Sequence, residues 1–344
     1  MTRERLLEVR GLKVRFSTED GVVRAVEGVD FTLDRGRILG IVGESGSGKS
    51  VTAMTLLGLT RSPRTRFEGA VLYKGQDLLG LSEDKLRAVR GGEIAMIFQD
   101  PMTSLNPVYR VGAQIVEMIR VHEPHTSKAA ARRRTVDLLK QVGIPHAEER
   151  IDSFPHEFSG GMRQRAMIAM AIACNPDILV ADEPTTALDV TIQAQIIELI
   201  VRLKDEYDSA VIMITHDLGV VADMADEILV MYAGRIVERA GTRDVFYDPQ
   251  HPYTWGLLGS IPRLDRPKPK RLHTIRGVPP SAMDPSEGCT FGPRCPYAFG
   301  RCSEEPALEA RGDKRTHLDR CWLGLEQKRT LRVATLEGRV EEVG

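Results

Sequence analysis

No apolar run in this sequence approaches the roughly 18 residues that a membrane span requires. The opening residues, Met1-Thr2-Arg3-Glu4-Arg5, are charged, and no apolar signal-peptide core follows them. Together these absences set the expectation of a cytoplasmic protein whose membrane role, if any, comes through partners. A surplus of one charge is also lacking. The 47 Lys and Arg stand against 48 Asp and Glu, a formal net charge of −1, which gives no bulk attraction to nucleic acid or an anionic bilayer. Cysteine is scarce and uneven. Of five, Cys174 stands alone in an apolar segment and reads as a small core residue, whereas Cys289, Cys295, Cys302 and Cys321 crowd toward the C-terminus. In a reducing compartment such crowding points to metal ligation rather than disulfides. No internal repeat is evident, and the Asn-Lys-x-Asp base-reading motif of GTP-binding switches is missing.

What is present is organised around Gly43-Glu44-Ser45-Gly46-Ser47-Gly48-Lys49-Ser50, a G-x-x-x-x-G-K-S phosphate loop. Ile38-Leu39-Gly40-Ile41-Val42 before it suits a buried parallel strand, and Val51 to Leu57 after it can continue as a helix. The chemistry needs that order. Glycines let successive backbone N–H groups converge on phosphate oxygens, and the helix N-terminus adds partial positive charge. Lys49 is then expected to neutralise the β- and γ-phosphates, and the Ser50 hydroxyl to ligate Mg²⁺.

At 344 residues, with 42% hydrophobic and 28% charged, the chain is an ordinary globular protein of two or more substructures. Alternation over Leu7–Arg10 and Lys13–Phe16 predicts half-exposed antiparallel strands, with a Gly21 turn and a third strand near Val29–Leu33. Phe16 could stack on adenine or simply pack in a core. Ile94–Phe98 is a buried strand running into Gln99, at the strand end where open α/β sheets place ligand-facing groups; by itself Gln99 also fits a plain loop amide. Helical patterns follow from Val108 to Arg120 and from a Ser127 cap to Gly143, and Arg132-Arg133-Arg134 reads as a solvated face. Ser159, Gly160 and Gly161 begin another helix, either as a good cap or as a second anion site. Asp177–Ala181 is a buried strand ending in Asp182-Glu183. Asp182 suits Mg²⁺ held through its water shell, and Glu183 suits polarising an attacking water. Asp189 caps the helix Val190–Tyr207, and strand Ala210–Ile214 delivers His216 toward the γ-phosphate position. Glu227–Tyr232 and Arg235–Ala240 form a closing hairpin around Gly234.

The ordered set of phosphate loop, Gln99, Ser159-Gly160-Gly161, Asp182-Glu183, Asp189 and His216 resembles the ATP-binding-cassette (ABC) ATPases over about residues 5–260. In that family's terms these are Walker A, Q-loop, signature, Walker B, D-loop and H-switch, with Phe16 as the A-loop aromatic. The signature departs from Leu-Ser-Gly-Gly-Gln by Phe158 and Met162, but keeps the serine and both glycines. Phe98 to Pro107, the Ser-Gly-Gly-Met-Arg-Gln-Arg signature and His251-Pro252-Tyr253-Thr254 look like the dipeptide/oligopeptide importer branch, which also includes nickel importers. The resemblance implies an α/β fold: a P-loop core with an antiparallel β subdomain, a helical subdomain inserted at about 100–165, and a C-terminal extension over 261–344. It implies ATP and Mg²⁺, with Gln99 linking metal to permease. The nucleotide would lie against Phe16, Gly43, Ser45–Val51, Asp182 and a partner's counterparts of Ser159–Gly161 and Asp189. Implied partners are a second cassette on a different chain, two membrane-spanning permeases and an extracytoplasmic binding protein, with this chain at the cytoplasmic face. A soluble cassette acting on nucleic acid would typically carry two cassettes or long coiled-coil insertions, and neither is present.

Pro262, Pro267, Pro269, Pro279, Pro280 and Pro285 mark a semi-extended connector before the cysteine region. The cysteine spacing x5, x6 and x18 lacks the short C-x2–4-C pairs usual for zinc, so an iron–sulfur cluster suits it at least as well. The tail also resembles the extension of peptide-importer cassettes that carry a 4Fe-4S cluster. Structural zinc and unligated thiols remain the alternatives.

Overall fold

The architecture comes from a computed structural model, in which residues 3–186, 188–261, 274–284, 287–310 and 314–336 are described. Of the connector prolines, Pro262, Pro267, Pro269 and Pro285 lie outside those residues. In chain order the strands are β1 (Arg5–Thr18), β2 (Gly21–Asp34), β3 (Ile38–Val42), β4 (Thr65–Tyr73), β5 (Gln76–Asp77) and β6 (Ile94–Ile97). They continue as β7 (Ile178–Asp182), β8 (Ala210–Thr215), β9 (Glu227–Tyr232), β10 (Arg235–Gly241), β11 (Glu309–Ala310) and β12 (Leu318–Asp319).

Two sheets result. The smaller is antiparallel, ordered β2-β1-β4-β5. Where the alternation predicts two short strands before Gly21, one 14-residue strand forms instead. Its register slips between Val9 and Leu12 opposite β2, so the bulge absorbs the break in alternation without ending the strand. The larger sheet is ordered β11-β12-β10-β9-β3-β8-β7-β6. Its centre is parallel, with β3 between β8 and β9, and β10 closes it as the antiparallel hairpin partner of β9.

The central strands are apolar throughout because both faces are covered. Ile38 and Val42, Ala95 and Ile97, Leu179 and Ala181, and Val211 and Met213 enter one core with the helical residues 111–172. Leu39 and Ile41, Ile94 and Met96, Ile178 and Val180, and Ile212 and Ile214 enter the other, shared with β1, β2 and β4. A period of two thus divides one sheet between two cores. The helical block contains Val111–His122, Lys128–Gln141 and Gly160–Ala171. Ser127 caps the second of these by accepting from Ala130 N at 3.2 Å. The third stops at Ala171, short of Cys174.

The C-terminal region joins the main sheet. Two-residue β12 pairs with β10, Asp319 opposite Glu238. Glu238 is fully buried and accepts from Gln250 N at 2.6 Å, His251 N at 3.0 Å and His317 Nε2 at 2.7 Å. Beside it, buried Asp319 pairs with buried Lys328 at 2.7 Å, so the charges are matched rather than stranded. Among the described residues, no helix is long and apolar enough to cross a membrane.

Candidate nucleotide site

Five buried residues of β3 aim the chain into the phosphate loop, and the helix Lys49–Leu56 leaves it. Gly48 has φ of 99°, and a Cβ there would stand 2.5 Å from the Ala25 carbonyl oxygen; only glycine fits. No side chain caps the first turn, which leaves its N–H groups facing the loop. Ser47 Oγ is buried without a hydrogen-bond partner, an acceptor and donor waiting for one. Lys49 is buried, and its Nζ donates to the carbonyls of Gly43 at 2.7 Å and Glu44 at 3.0 Å. Burial lowers its pKa, while Glu183, Asp182 and Glu44 pull the other way. An ammonium held by two neutral carbonyls has charge to spare for a phosphate.

The carboxyl ends of the neighbouring strands supply the rest. From β7, Asp182 accepts from Ser50 Oγ at 3.0 Å. Burial raises its pKa, the Ser50 bond opposes this, and the charge of Glu183 adds to it. A divalent cation at the Ser50–Asp182 pair would relieve that penalty, so hydroxyl and carboxylate suit Mg²⁺. Glu183 follows with φ of 47°, and its N–H is held by the Ile214 carbonyl at 2.9 Å. A non-glycine residue in this region is strained and kept only where its surroundings impose it. The result aims its carboxylate at three groups. Glu183 Oε2 lies 3.2 Å from Gln99 Nε2, 2.9 Å from Thr186 Oγ1 and 3.2 Å from His216 Nδ1. Lys49, Ser50, Asp182, Glu183, Gln99 and His216, expected separately from the sequence, therefore occupy one site. Thr186 joins them without having been singled out; a threonine three residues after Glu183 in a tight turn was the available signal.

The other expected residues make their contacts elsewhere. Phe16 is half-buried at the edge of the β-subdomain core, opposite Val23 and Thr65. Ser159 accepts from Met162 N at 3.3 Å and Asp189 from Ile192 N at 3.0 Å, each capping its helix. Among the described residues, no hydrogen bond or ion pair joins Ser159, Gly160, Gly161 or Asp189 to the phosphate loop.

The expected metal centre falls on Cys289, Cys295, Cys302 and Cys321, which the fold brings together. All four line one small pocket walled by Phe291, Tyr297, Phe299 and Leu323. Yet among the described residues no group of three or more His, Cys, Asp or Glu is arranged to hold a metal ion. Burial pushes the Cys289 thiol up and those of Cys295 and Cys321 up to about 12, so a metal bound there would have to release their protons.

A phosphate loop between parallel strands, with paired acids on the adjoining strand, an antiparallel β subdomain and an inserted helical block, defines an ABC-type ATPase. Residues 26–186 match the ABC transporter family and residues 237–302 the oligopeptide/dipeptide transporter C-terminal region. The oligopeptide transport ATP-binding protein OppD of Bacillus subtilis (strain 168) is 54% identical over 321 residues, 93% of this chain and 89% of that one. The dipeptide transport ATP-binding protein DppD of Lactococcus lactis subsp. cremoris (strain MG1363) is 50% identical over 325 residues, 94% of this chain and 92% of its own length. A dimeric ATP-binding cassette, MJ0796, in a post-hydrolysis state bound to ADP and Pi, superposes with a TM-score of 0.62 at 26% identity, covering 69% of this chain and 99% of that one. The chain belongs to the oligopeptide/dipeptide transport ATP-binding proteins of the ABC transporter family, whose ATP hydrolysis is coupled to transport.

Proposed function

We propose that this chain is the ATPase subunit of an importer that carries oligopeptides or dipeptides across the cytoplasmic membrane. One observation carries the reading: Ser50 meets Asp182, and Gln99 and His216 meet Glu183, in a chain whose residues 237–302 match the oligopeptide/dipeptide transporter C-terminal region. The relatives reported above carry peptide transport in their names, and neither nickel nor nucleic acid. Residues 1–260 form the nucleotide-binding domain, with the helical subdomain at about 100–165, and 261–344 form the extension.

In this reading Lys49 and the N–H groups of Gly43 and Ser45 to Val51 bind the triphosphate, and Phe16 stacks on the base. Ser50, Asp182 and Gln99 would hold Mg²⁺, which when bound would neutralise phosphate oxygens. Glu183 takes the proton of the attacking water, and His216 senses the γ-phosphate from across the same carboxylate. Ser159, Gly160, Gly161 and Asp189 complete a partner's site rather than their own, which accounts for the lack of hydrogen bonds from them to this chain's phosphate loop among the described residues. The partner is a second cassette. Two membrane-spanning permeases and an extracytoplasmic substrate-binding protein complete the assembly, with this chain at the cytoplasmic face. Closure of the cassette pair on ATP and its release after hydrolysis would bias the permeases between two states.

We also propose that the pocket of Cys289, Cys295, Cys302 and Cys321 is where a 4Fe-4S cluster would be held, zinc being the alternative. Four soft donors around one apolar-walled pocket support it. Iron and sulfide analysis of anaerobically purified protein tests this; colourless protein with stoichiometric zinc would decide for the alternative.

The function itself is tested by purifying the chain with its membrane partners and measuring ATP-dependent uptake of labelled peptides into vesicles. Peptide-stimulated hydrolysis and accumulation are expected; ATP turnover unaffected by any peptide, in a complex with intact permeases, would refute it.

A further inference from the structure

We propose that Arg294, in the C-terminal extension, is a positioning residue of the phosphate loop: it neutralises Glu44 and holds it away from the triphosphate. The proposal rests on the ATPase reading above and deepens it. Arg294 is 4% exposed, and its guanidinium meets both oxygens of Glu44, at 2.6 and 3.1 Å, across 250 residues of sequence. Its Nε donates to the Arg276 carbonyl at 2.9 Å, so the fork is held in one orientation. The same fork lies 5.7 Å from the centre of the Tyr232 ring, and Phe291 packs edge-on to Tyr232.

Glu44 is gripped at three points. Arg294 takes its carboxylate, Tyr253 Oη accepts its backbone N–H at 2.8 Å, and its carbonyl accepts from Lys49 Nζ at 3.0 Å. Arg294 and Tyr253 belong to the C-terminal third of the chain, and Lys49 is the phosphate-binding lysine. An exposed ion pair would contribute little. This one is shielded, and it stands on a loop built to attract an anion. Released from Arg294, the Glu44 carboxylate would sit in that loop as an unneutralised negative charge, opposing the triphosphate. The phosphate-loop pattern leaves this position open, so the glutamate makes the loop depend on the extension.

The test uses the full-length chain within its intact transporter. Arg294→Gln is expected to raise the KM for ATP about 3–10-fold with kcat within about twofold, since binding and not the chemical step is weakened. Adding Glu44→Gln should return KM to within about twofold of the wild type, because the stranded charge is gone. Arg294→Lys keeps the charge without the fork and should fall between. An unchanged KM in folded Arg294→Gln protein, or a raised KM that Glu44→Gln does not relieve, overturns the proposal. Should Arg294→Gln fail to fold, Glu44→Gln alone decides: KM at or below wild type supports it, and a rise overturns it. Wild-type protein without Mg²⁺-dependent ATP affinity would instead be a failure of the ATPase reading.

Discussion

His216 Nδ1 stands 3.2 Å from Glu183 Oε2, joining the ends of two neighbouring parallel strands through one oxygen. Gln99 and Thr186 reach that same oxygen. A carboxylate so oriented is ready to accept a proton from water beside the phosphate loop. Glu183→Gln keeps the shape and removes the base. It is expected to bind ATP normally while hydrolysing it about 10²–10⁴-fold more slowly. Phosphate release and binding of a fluorescent ATP analogue separate the two effects, and unchanged turnover would remove Glu183 from the role.

Asp182 is a different kind of acid. Burial raises its pKa, and among the described residues the Ser50 bond and Lys49 offset that cost. Its charge is therefore useful to a cation. Asp182→Asn is expected to lower Mg²⁺-dependent ATP affinity about 10–100-fold, the range found when groups that act on a metal through its water shell are replaced. Metal-free ATP binding should change far less. Equal losses with and without Mg²⁺ would count against the assignment.

The loop's glycines can be tested without touching chemistry. Gly48→Ala must place a Cβ 2.5 Å from the Ala25 carbonyl oxygen while keeping φ near 99°. The cost should be about 1–3 kcal/mol, seen as a lower melting temperature together with lost ATP binding. Gly46→Ala is a control for crowding, because a Cβ at Gly46 meets nothing within 4 Å although its φ of 79° is strained too. If Gly48→Ala melts no lower than Gly46→Ala, the close approach to Ala25 is not what the glycine serves.

Much of this was legible because the relevant signals are local. Continuous apolar runs marked β3, β7 and β8, caps marked Ser127, Ser159 and Asp189, and the hairpin at Gly234 follows from two strands and a turn. The meeting of Gln99, Asp182, Glu183 and His216 beside the phosphate loop was legible too, since each ends or follows a buried strand of one parallel sheet. What escaped was non-local. Two-residue strands such as β12 have no periodicity to detect, and they exist only because β10 offers an edge. The Arg294–Glu44 pair joins residues 250 apart, and no pattern near either one announces the other. The four cysteines meet at one pocket, as their crowding in the sequence suggests, but the burial that raises the Cys295 and Cys321 thiols to about 12 is an effect that spacing cannot report.

His251 makes a pH prediction with a definite sign. Its ring is buried at the start of the helix Pro252–Gly259, where Nδ1 accepts from Tyr253 N at 3.1 Å, while the backbone N–H of His251 donates to Glu238. Burial first, then the nearby Lys328 and Arg320 charges, pushes its pKa down to about 3. The unfolded chain takes up that proton near pH 6.5, well before the folded one does. The group's contribution is therefore complete above about pH 6.5 and is lost as pH falls from there toward about 3. Between pH 7.5 and 5.5 this amounts to about 1 kcal/mol of unfolding free energy. Asn at this position can still accept from Tyr253 N and cannot titrate. Denaturant midpoints for His251→Asn should thus change less over that interval than those of the wild type. Parallel pH curves for the two proteins would mean that His251 is not held neutral by its burial.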